Sequence, residues 1–405
     1  MEVMVVVGAG LDVHKKRIVA CCLDGRSNPV KVTRNTFGTY RQELEKLRDW
    51  LVGCGCTHVA MESTGIYWVP VYRVLEGHVQ IVLGNARHMA NVPGRKTDVN
   101  DARWIAELLR HGLIKRNFVP PAPIRQLRQL TRYRRKLIGM RTASQLRVEK
   151  LLQSTNIKLS SVASDLFGVS GRLMLGALAS GTTNPAQLAE LARGKLRNKR
   201  ADLRLAFNGT FTDDDAHLLE VQMGVIEQIE QKLVDLERLI NDKVAQYEDL
   251  LGHLQTLPGF GRIVAIDVLA EVGTDMTTWP SDGHFAAWSG TCAGNRESAG
   301  VRRKARSREG NPYLKSILCQ AATSAARTRQ CYLAVRFQRI KSRRGEARAV
   351  VAIARELACS VYHVIRRNEP YRPPAIADPA VARERRCHRL IRELRKLGYE
   401  VEKAE

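Results

Sequence analysis

The amino-acid sequence predicts an α/β domain at the N-terminus, followed by a mostly α-helical remainder. Short β-rich segments open the chain and then alternate with amphipathic helices, a pattern typical of a mixed sheet with helices packed on it. After residue 123, long runs with helical periodicity replace the strands. The proline-rich stretch at 120–123 indicates a domain boundary, because proline ends regular structure and stiffens a link.

The composition is that of a folded protein with an unusual charge. The 405 residues are 44% hydrophobic and 26% charged, which allows two or three domains with real cores. A total of 65 Lys and Arg against 41 Asp and Glu leaves a formal net charge of +24. This excess indicates a polyanionic partner, and nucleic acid is the first candidate. No apolar run is long enough to span a membrane, and no signal peptide is recognisable at Met1–Gly10.

The nine cysteines are scattered without a C-x-x-C pair, which argues against a zinc ribbon or a thioredoxin-type motif. We expect them to be free thiols of a reducing compartment.

Within the first 119 residues we predict three closely spaced strands, then alternating helices and strands. The predicted strands are Val3–Val7 with Leu11–Val13, Arg17–Leu23, Val30–Asn35, Thr57–Glu62 and Val79–Leu83. The predicted helices are Tyr40–Val52, Tyr67–Glu76 and one that begins near Asp98. Gly8-Ala9-Gly10 lacks the third glycine and the following helix of a dinucleotide-binding fingerprint, which argues against that function.

Four acidic residues lie where such a sheet could bring them together. Asp12 lies inside the first strand, where an acid is unfavourable unless something pairs with it. Glu62 ends an apolar strand, a position where ligands and catalytic groups often lie. Asp98 and Asp101 are three residues apart and would share one helix face. This pair either serves the N-terminus of the helix or shares a hard divalent cation.

Two long helices are predicted after the boundary. Ile124–Ser154 carries nine Lys or Arg against one Glu, and we interpret it as a helix that follows a phosphate backbone. Ala216–Leu254 has a heptad pattern of apolar residues and predicts a coiled coil, which either folds back on the first helix or pairs two subunits. The candidate nucleic-acid contacts of the first helix are Arg128, Arg132, Arg135 and Lys136.

The C-terminal third combines a glycine turn with a strongly basic loop. Leu257–Ala265 contains a G-x-G turn that either meets phosphate or simply joins two helices. Residues 296–344 contain 14 Lys or Arg and two acids, which predicts steep salt dependence of binding. The candidate nucleic-acid contacts here are Arg302, Arg303, Lys304, Arg306, Arg308 and Asn311.

Three segments of the N-terminal third resemble the DEDD transposases of bacterial insertion sequences in order, spacing and flanking residues. They are Gly10–Lys15, Met61–Gly65 and Lys96–Ala102. Those transposases have a RuvC-like, RNase H-type domain whose four acids bind divalent metal. The resemblance implies that Asp12, Glu62, Asp98 and Asp101 hold Mg²⁺ or Mn²⁺.

The C-terminal third resembles the second domain of the same family, in the segments Leu257–Gly273, Ala287–Gly290, Ser298–Gly300 and Arg308–Lys315. In that family a serine before a glycine-containing turn is the nucleophile that becomes covalently joined to DNA. By position this serine is Ser298. Many relatives carry a proline shortly before it, where this chain has Asn295, so Ser289 and Ser307 stay as alternatives.

The resemblance, to the insertion-sequence family numbered one-ten, implies a recombinase directed by a structured non-coding RNA. It would act on donor and target DNA as a homodimer or homotetramer, in the bacterial cytoplasm at the nucleoid. The acids and Ser298 would meet within one chain or across a dimer. The implied parts are a RuvC-like metal-binding domain at 1–119, a helical and coiled-coil region at 120–255, a serine-containing transposase domain at 256–373 and a basic tail at 374–405.

Two other interpretations of the residues stay open. The first is a metal-dependent nuclease or junction resolvase that uses the acids alone, with water as the nucleophile. The second is a non-catalytic protein that binds nucleic acid.

Overall fold

A computed structural model of the chain describes residues 3–85, 89, 101–294, 297–298, 301–302, 307–328, 331–374 and 379–400. The chain forms two compact units, Met1–Val119 and Pro120–Glu405. Among the described residues, no helix combines the length and the apolar character needed to cross a membrane. All nine cysteines are free, as predicted.

The first unit is built on a five-stranded mixed sheet with the strand order β3-β2-β1-β4-β5. β1 pairs antiparallel with β2, and β2 with β3, whereas β4 pairs in parallel with both β1 and β5. The strands are β1 (Val7–Val13), β2 (Arg17–Asp24), β3 (Lys31–Gly38), β4 (His58–Glu62) and β5 (Gln80–Gly84). The predicted mixed sheet is confirmed, with one continuous first strand where we expected two short ones.

Helices cover both faces of this sheet. α1 (Arg41–Gly53) and α2 (Trp68–Leu75) share a buried apolar cluster with alternate residues of β1 and β4, such as Leu11 and Met61. α3 (Asp101–Arg110) packs on the opposite face, where its Ile105 lies in a cluster with Ala60. Because successive side chains of a strand point to opposite faces, each strand contributes to both cores.

The contact between α3 and β1 depends on two glycines. A Cβ at Gly10 would overlap the backbone of Ala102 and Ala106, and a Cβ at Gly8 would crowd Leu109. Since Gly8 meets the end of α3 and Gly10 meets its beginning, α3 runs antiparallel to β1. The Gly8-Ala9-Gly10 segment therefore has a packing role, because only glycine lets the helix backbone approach this closely.

The second unit is mostly helical, and its longest helices form a hairpin. α4 (Ala122–Ser154) and α9 (Asp213–Val244) pack antiparallel, with Lys243 of α9 hydrogen-bonded to Gln126 of α4 at 2.9 Å. A helix of 33 residues is about 50 Å long. Of the two arrangements left open by the heptad pattern, the chain therefore contains the one that folds back on α4.

Short helices form the segment that connects the two long helices, at the closed end of this hairpin. They are α5 (Leu159–Val162), α6 (Val169–Ala179), α7 (Pro185–Glu190), a 3-10 helix (Gly194–Lys199) and α8 (Arg200–Ala206). Their apolar residues form one buried cluster with the end of α4 and the start of α9. Thr212 caps α9 through a reciprocal pair of hydrogen bonds with Asp215, which fixes where that helix begins.

The predicted continuous helix Ala216–Leu254 is wrong in one respect, because it breaks before its end. α9 ends at Val244, a 3-10 turn follows at Ala245–Tyr247, and α10 covers Glu248–Gln255. Leu251 and Leu254 of α10 are fully buried, and α10 packs on α11 and α15. The heptad positions of this last part thus serve a different core from those of α9.

The later helices are α11 (Arg262–Val272), α12 (Asp282–Trp288), α13 (Pro312–Ala325), α14 (Tyr332–Arg344), α15 (Glu346–Arg367) and α16 (Pro379–Lys396).

The G-x-G turn before α11 also has a packing role. Gly259 has a φ of +80°, and a Cβ there would overlap the carbonyl oxygen of Ala321 in α13. Glycine is needed at this turn for both reasons. Contact of the turn with phosphate stays a prediction.

Candidate active site

Three of the four predicted acids lie at one end of the sheet in the first unit. β1 and β4 pair in parallel with Leu11 opposite Met61, so Asp12 and Glu62, the next residue on each strand, occupy matching positions. Because side chains of a strand alternate between the faces of the sheet, Asp12 lies on the same face as Gly10, and Glu62 on the same face as Ala60. Both belong to the face of the sheet that α3 covers. Asp101 is the first residue of α3.

The direction of α3 places its first turn at the same end of β1 as Asp12, because Gly10 contacts the beginning of the helix. The fold therefore brings Asp101 towards Asp12 and Glu62. Asp98, the fourth predicted acid, lies outside the described residues.

Two of these carboxylates have short-range partners. Asp12 Oδ2 lies 2.8 Å from His14 Nε2, and Glu62 Oε2 accepts a hydrogen bond of 3.3 Å from the hydroxyl of Thr64. Both contacts join residues two positions apart, so they orient the carboxylates locally at the end of each strand. The His14 side chain is half exposed, whereas that of Asp12 is largely shielded from solvent.

Asp101 differs from them, because its Oδ1 is buried and has no hydrogen-bond partner among the residues that the structure describes. A buried carboxylate oxygen without a donor costs free energy, and a bound cation offsets that cost. Carboxylate oxygens are also the ligands that Mg²⁺ prefers. The residues at this end of the sheet therefore fit a hard divalent cation in their chemistry.

The described acids do not complete such a site by themselves. Among the residues that the structure describes, no group of three or more His, Cys, Asp or Glu side chains is close enough to hold a metal ion. A four-acid site would need Asp98, which is not among those residues.

Ser298 lies in a short β-ribbon of the second unit. β6 (Glu297–Ser298) and β7 (Val301–Arg302) pair antiparallel, with Ser298 opposite Val301. Nearer the base of the ribbon, Ala293 pairs with Ser307. Ser298 is thus the last paired residue before two residues that connect the strands.

The base of this ribbon is fastened by backbone hydrogen bonds. The N–H of Arg308 donates to the carbonyl of Cys292, and the N–H of Asn311 donates to that of Trp288, both at 3.0 Å. A Cβ at Gly310 would overlap the backbone of Gly290, so the two chain segments touch directly. We call the described residues of this segment, 288–294, 297–298, 301–302 and 307–311, the Ser298 ribbon.

The alternative serines lie at the base of the ribbon. Ser289 is fully buried, and its hydroxyl donates to the carbonyl of Ala286 at 2.8 Å, so it is not accessible to DNA. The hydroxyl of Ser307 accepts a hydrogen bond from Lys315.

Three of the predicted nucleic-acid contacts on α4 make contacts inside the protein. Arg128 donates to the carbonyls of Ala270 and Glu271 at the end of α11, and burial lowers its pKa to about 10. Arg132 binds the Glu271 carboxylate through two hydrogen bonds of 2.7 and 2.8 Å. Arg135 donates to Ser316 of α13. Their contact with nucleic acid stays a prediction, as does that of the exposed Lys136.

Glu271 joins Arg128 and Arg132, and its role was not predicted from the sequence. Only 2% of Glu271 is exposed, and its Oε2 also accepts a hydrogen bond of 2.7 Å from the side chain of Asn311. Asp267, one turn earlier on α11, binds the fully buried Arg134. Two acids one turn apart in Ile263–Val272, a segment that is otherwise apolar, were the available sequence signal.

Comparison with known proteins assigns the chain to a class and then to a family. Residues 9–157 match the DEDD family model described as "Transposase", and residues 252–336 match that described as "Transposase IS116/IS110/IS902 family". The chain is similar to the transposase for insertion sequence element IS1111A of Coxiella burnetii (strain RSA 493 / Nine Mile phase I), with 24% identity over 377 residues that cover 90% of each chain. The protein is thus a transposase. It belongs to the IS110 family of insertion-sequence transposases, as the sequence analysis predicted.

Proposed function

We propose that this transposase cuts and rejoins DNA through a phosphoserine intermediate, with Ser298 as the nucleophile and a divalent cation at its acidic cluster. The placement of Asp12, Glu62 and Asp101 at one end of a sheet carries the proposal. The buried Oδ1 of Asp101 supports it further, since a cation would satisfy this oxygen, to which no described residue donates a hydrogen bond. A RuvC-like fold for the first unit is part of the proposal.

Asp12, Glu62, Asp98 and Asp101 would hold Mg²⁺ or Mn²⁺, which when bound polarises the scissile phosphate and offsets its negative charge. The other tasks belong to the chain. His14 holds the Asp12 carboxylate in place, and Thr64 does the same for Glu62. Glycine at position 10 lets α3 bring Asp101 to the end of the sheet.

Ser298 would form the covalent link. Its hydroxyl loses a proton, a bond forms between Oγ and phosphorus, and the bond from phosphorus to one deoxyribose oxygen breaks. That oxygen takes up a proton. One phosphoester bond replaces another, so the energy of the broken bond is kept for the rejoining step. The exposed Arg308 and the basic residues Arg302, Arg303, Lys304 and Arg306 would balance phosphate charge near the ribbon.

A structured guide RNA would supply sequence specificity by base pairing. The protein, as a homodimer or homotetramer, would hold the backbones of the RNA and the DNA. The net charge of +24 supports a large polyanionic partner. Sequencing of RNA that co-purifies with the protein tests this part, and recovery of no discrete RNA would contradict it.

A denaturing gel with end-labelled donor DNA and Mg²⁺ tests the chemistry. We expect a covalent protein–DNA adduct that is lost in Ser298→Ala and kept in Ser307→Ala. Asp12→Ala should lose both cleavage and adduct while it still binds DNA. Cleavage without an adduct would indicate water as the nucleophile and contradict the proposal. Binding without any cleavage by the unmodified protein would indicate a non-catalytic role.

A further inference from the structure

Glu271 is an unfavourable residue for its position. It lies in the last turn of α11, where the helix dipole disfavours negative charge, and its side chain is buried. An apolar residue would fill this place at lower cost. The retained carboxylate must therefore be stabilised by partners, and the partners indicate its role.

Its partners come from two other parts of the second unit. Arg132 of α4 binds both carboxylate oxygens, and Arg128 lies 3.6 Å from Oε2 while it donates to backbone carbonyls at the end of α11. Asn311 provides a further donor, at 2.7 Å. The two arginines hold the Glu271 carboxylate against α4, and this carboxylate in turn holds the side chain of Asn311.

Asn311 links this network to the Ser298 ribbon. Its Oδ1 caps α13 by accepting from the N–H groups of Tyr313 and Leu314, and its own N–H donates to Trp288 at the base of the ribbon. Its Nδ2 donates to Glu271. Through this one amide, Glu271 is linked to the ribbon base, to the end of α12 and to the start of α13.

We propose that Glu271 is a positioning residue for the nucleophile, which acts through Asn311 on the base of the Ser298 ribbon. The inference rests on the proposed function of Ser298. A nucleophile displaced by about 1 Å loses on the order of 10²-fold in rate, so a residue that fixes the ribbon base has a large effect without touching DNA.

Glu271→Gln tests the inference, with Asp267→Asn as the matched control. Both acids lie on α11, both are largely buried and both bind an arginine of α4, but Asp267 binds Arg134 and does not contact Asn311. At saturating DNA, we expect Glu271→Gln to slow single-turnover adduct formation by about 10- to 100-fold with nearly unchanged DNA affinity. Asp267→Asn should keep the rate. An equal loss of rate in the two variants would show a merely structural role and overturn the inference.

Hydrogen exchange gives a second readout that does not depend on activity. The amides of Arg308 and Asn311, which fasten the ribbon base, should exchange faster in Glu271→Gln than in Asp267→Asn or the unmodified protein. Unchanged exchange would overturn the inference whatever the rates are. If the unmodified protein forms no adduct at all, the proposed function of Ser298 fails, and the exchange experiment still decides whether Glu271 positions the ribbon.

A compensating pair tests whether the effect passes through Asn311. Asn311→Asp keeps a capping oxygen for α13 but places a carboxylate against Glu271, so we expect it to slow adduct formation. When Asn311→Asp is combined with Glu271→Gln, the donor and the acceptor of the hydrogen bond between positions 271 and 311 exchange places. The new amide on α11 can then donate to the new carboxylate at the start of α13. The double variant should react faster than Asn311→Asp alone. Additive losses in the double variant would contradict coupling through this contact.

Discussion

Asp101 in the first unit has one buried carboxylate oxygen, Oδ1, and Glu271 in the second unit has a buried side chain, but the two acids differ in their partners. Within the described part of the chain Oδ1 of Asp101 has no hydrogen-bond partner, whereas both oxygens of Glu271 accept hydrogen bonds from Arg132 or Asn311. Asp101 begins a helix, where negative charge is favoured, and Glu271 ends one, where it is disfavoured.

This difference separates an acid available to a ligand from one that serves the structure. The arginines of α4 neutralise Glu271, so a cation there would add little. At Asp101 a divalent cation would supply what the described residues do not. The contrast also explains how a strongly basic chain uses its charge, since part of the basic face of α4 stabilises the second unit from within.

The largest expected effect tests whether α3 lies directly on β1. Gly10→Val places side-chain atoms where the backbone of Ala102 and Ala106 lies, so α3 must move away from the sheet. We expect a loss of about 4 kcal/mol or more in the free energy of unfolding, measured by denaturant titration. Gly53→Ala, with open space around it at the end of α1, should change stability by less than about 1 kcal/mol. Equal stability of the two variants would refute this packing.

Asp101→Asn should separate activity from stability. We expect DNA cleavage to fall about 10³-fold, since the variant removes a proposed cation ligand. The free energy of unfolding without divalent metal should change by less than about 1 kcal/mol, because relief of a buried charge offsets the lost interaction with the helix N-terminus. Addition of Mg²⁺ should raise the melting temperature of the unmodified protein and not of the variant. Retained cleavage would exclude Asp101 from the site.

Glu271→Ala should lower the stability of the protein and leave its stabilisation by Mg²⁺ unchanged, the reverse of Asp101→Asn. Its removal leaves Arg128 and Arg132 without their carboxylate in a largely buried network, so we expect a loss of about 3 kcal/mol in the free energy of unfolding. Mg²⁺ should still raise the melting temperature as it does in the unmodified protein. The measurement is thermal and denaturant unfolding with and without Mg²⁺. A variant as stable as the unmodified protein would show that the network contributes nothing to the second unit.

The smallest expected effect concerns pH. Burial raises the pKa of the Asp267 carboxyl above its ordinary 3.8, and Arg134 opposes this only in part. The folded protein therefore keeps this proton to higher pH than the unfolded chain does. Its contribution to stability is lost as the pH rises from 3.8 through the raised pKa. Asp267→Asn should therefore remove this part of the decrease in the free energy of unfolding with rising pH, measured by denaturant titration at several pH values. Parallel curves of unfolding free energy against pH for the two proteins would contradict the assignment.

Much of the local structure could be predicted from the sequence, because strand alternation and helical periodicity are short-range patterns. The strand order in the chain, the helix 124–154 and the acids at strand ends were predicted in this way. The break at Ala245–Tyr247 was missed, since the apolar heptads continue across it and only the packing of α10 on α11 and α15 reveals a second core. The predicted contacts of Arg128 and Arg132 took no account of Glu271, because their carboxylate lies about 140 positions later in the chain.

The sequence by itself determined the family, the secondary-structure pattern of each unit and the identity of the candidate acids and serine. Those features are carried by short motifs and by local periodicity. Only the tertiary structure decided that Gly10 admits α3 against the sheet, that the heptad helix folds back on α4 and that Glu271 gathers Arg132 and Asn311. Each of these features depends on which segments, far apart in the sequence, come together in space. The spacing of residues along the chain does not show this.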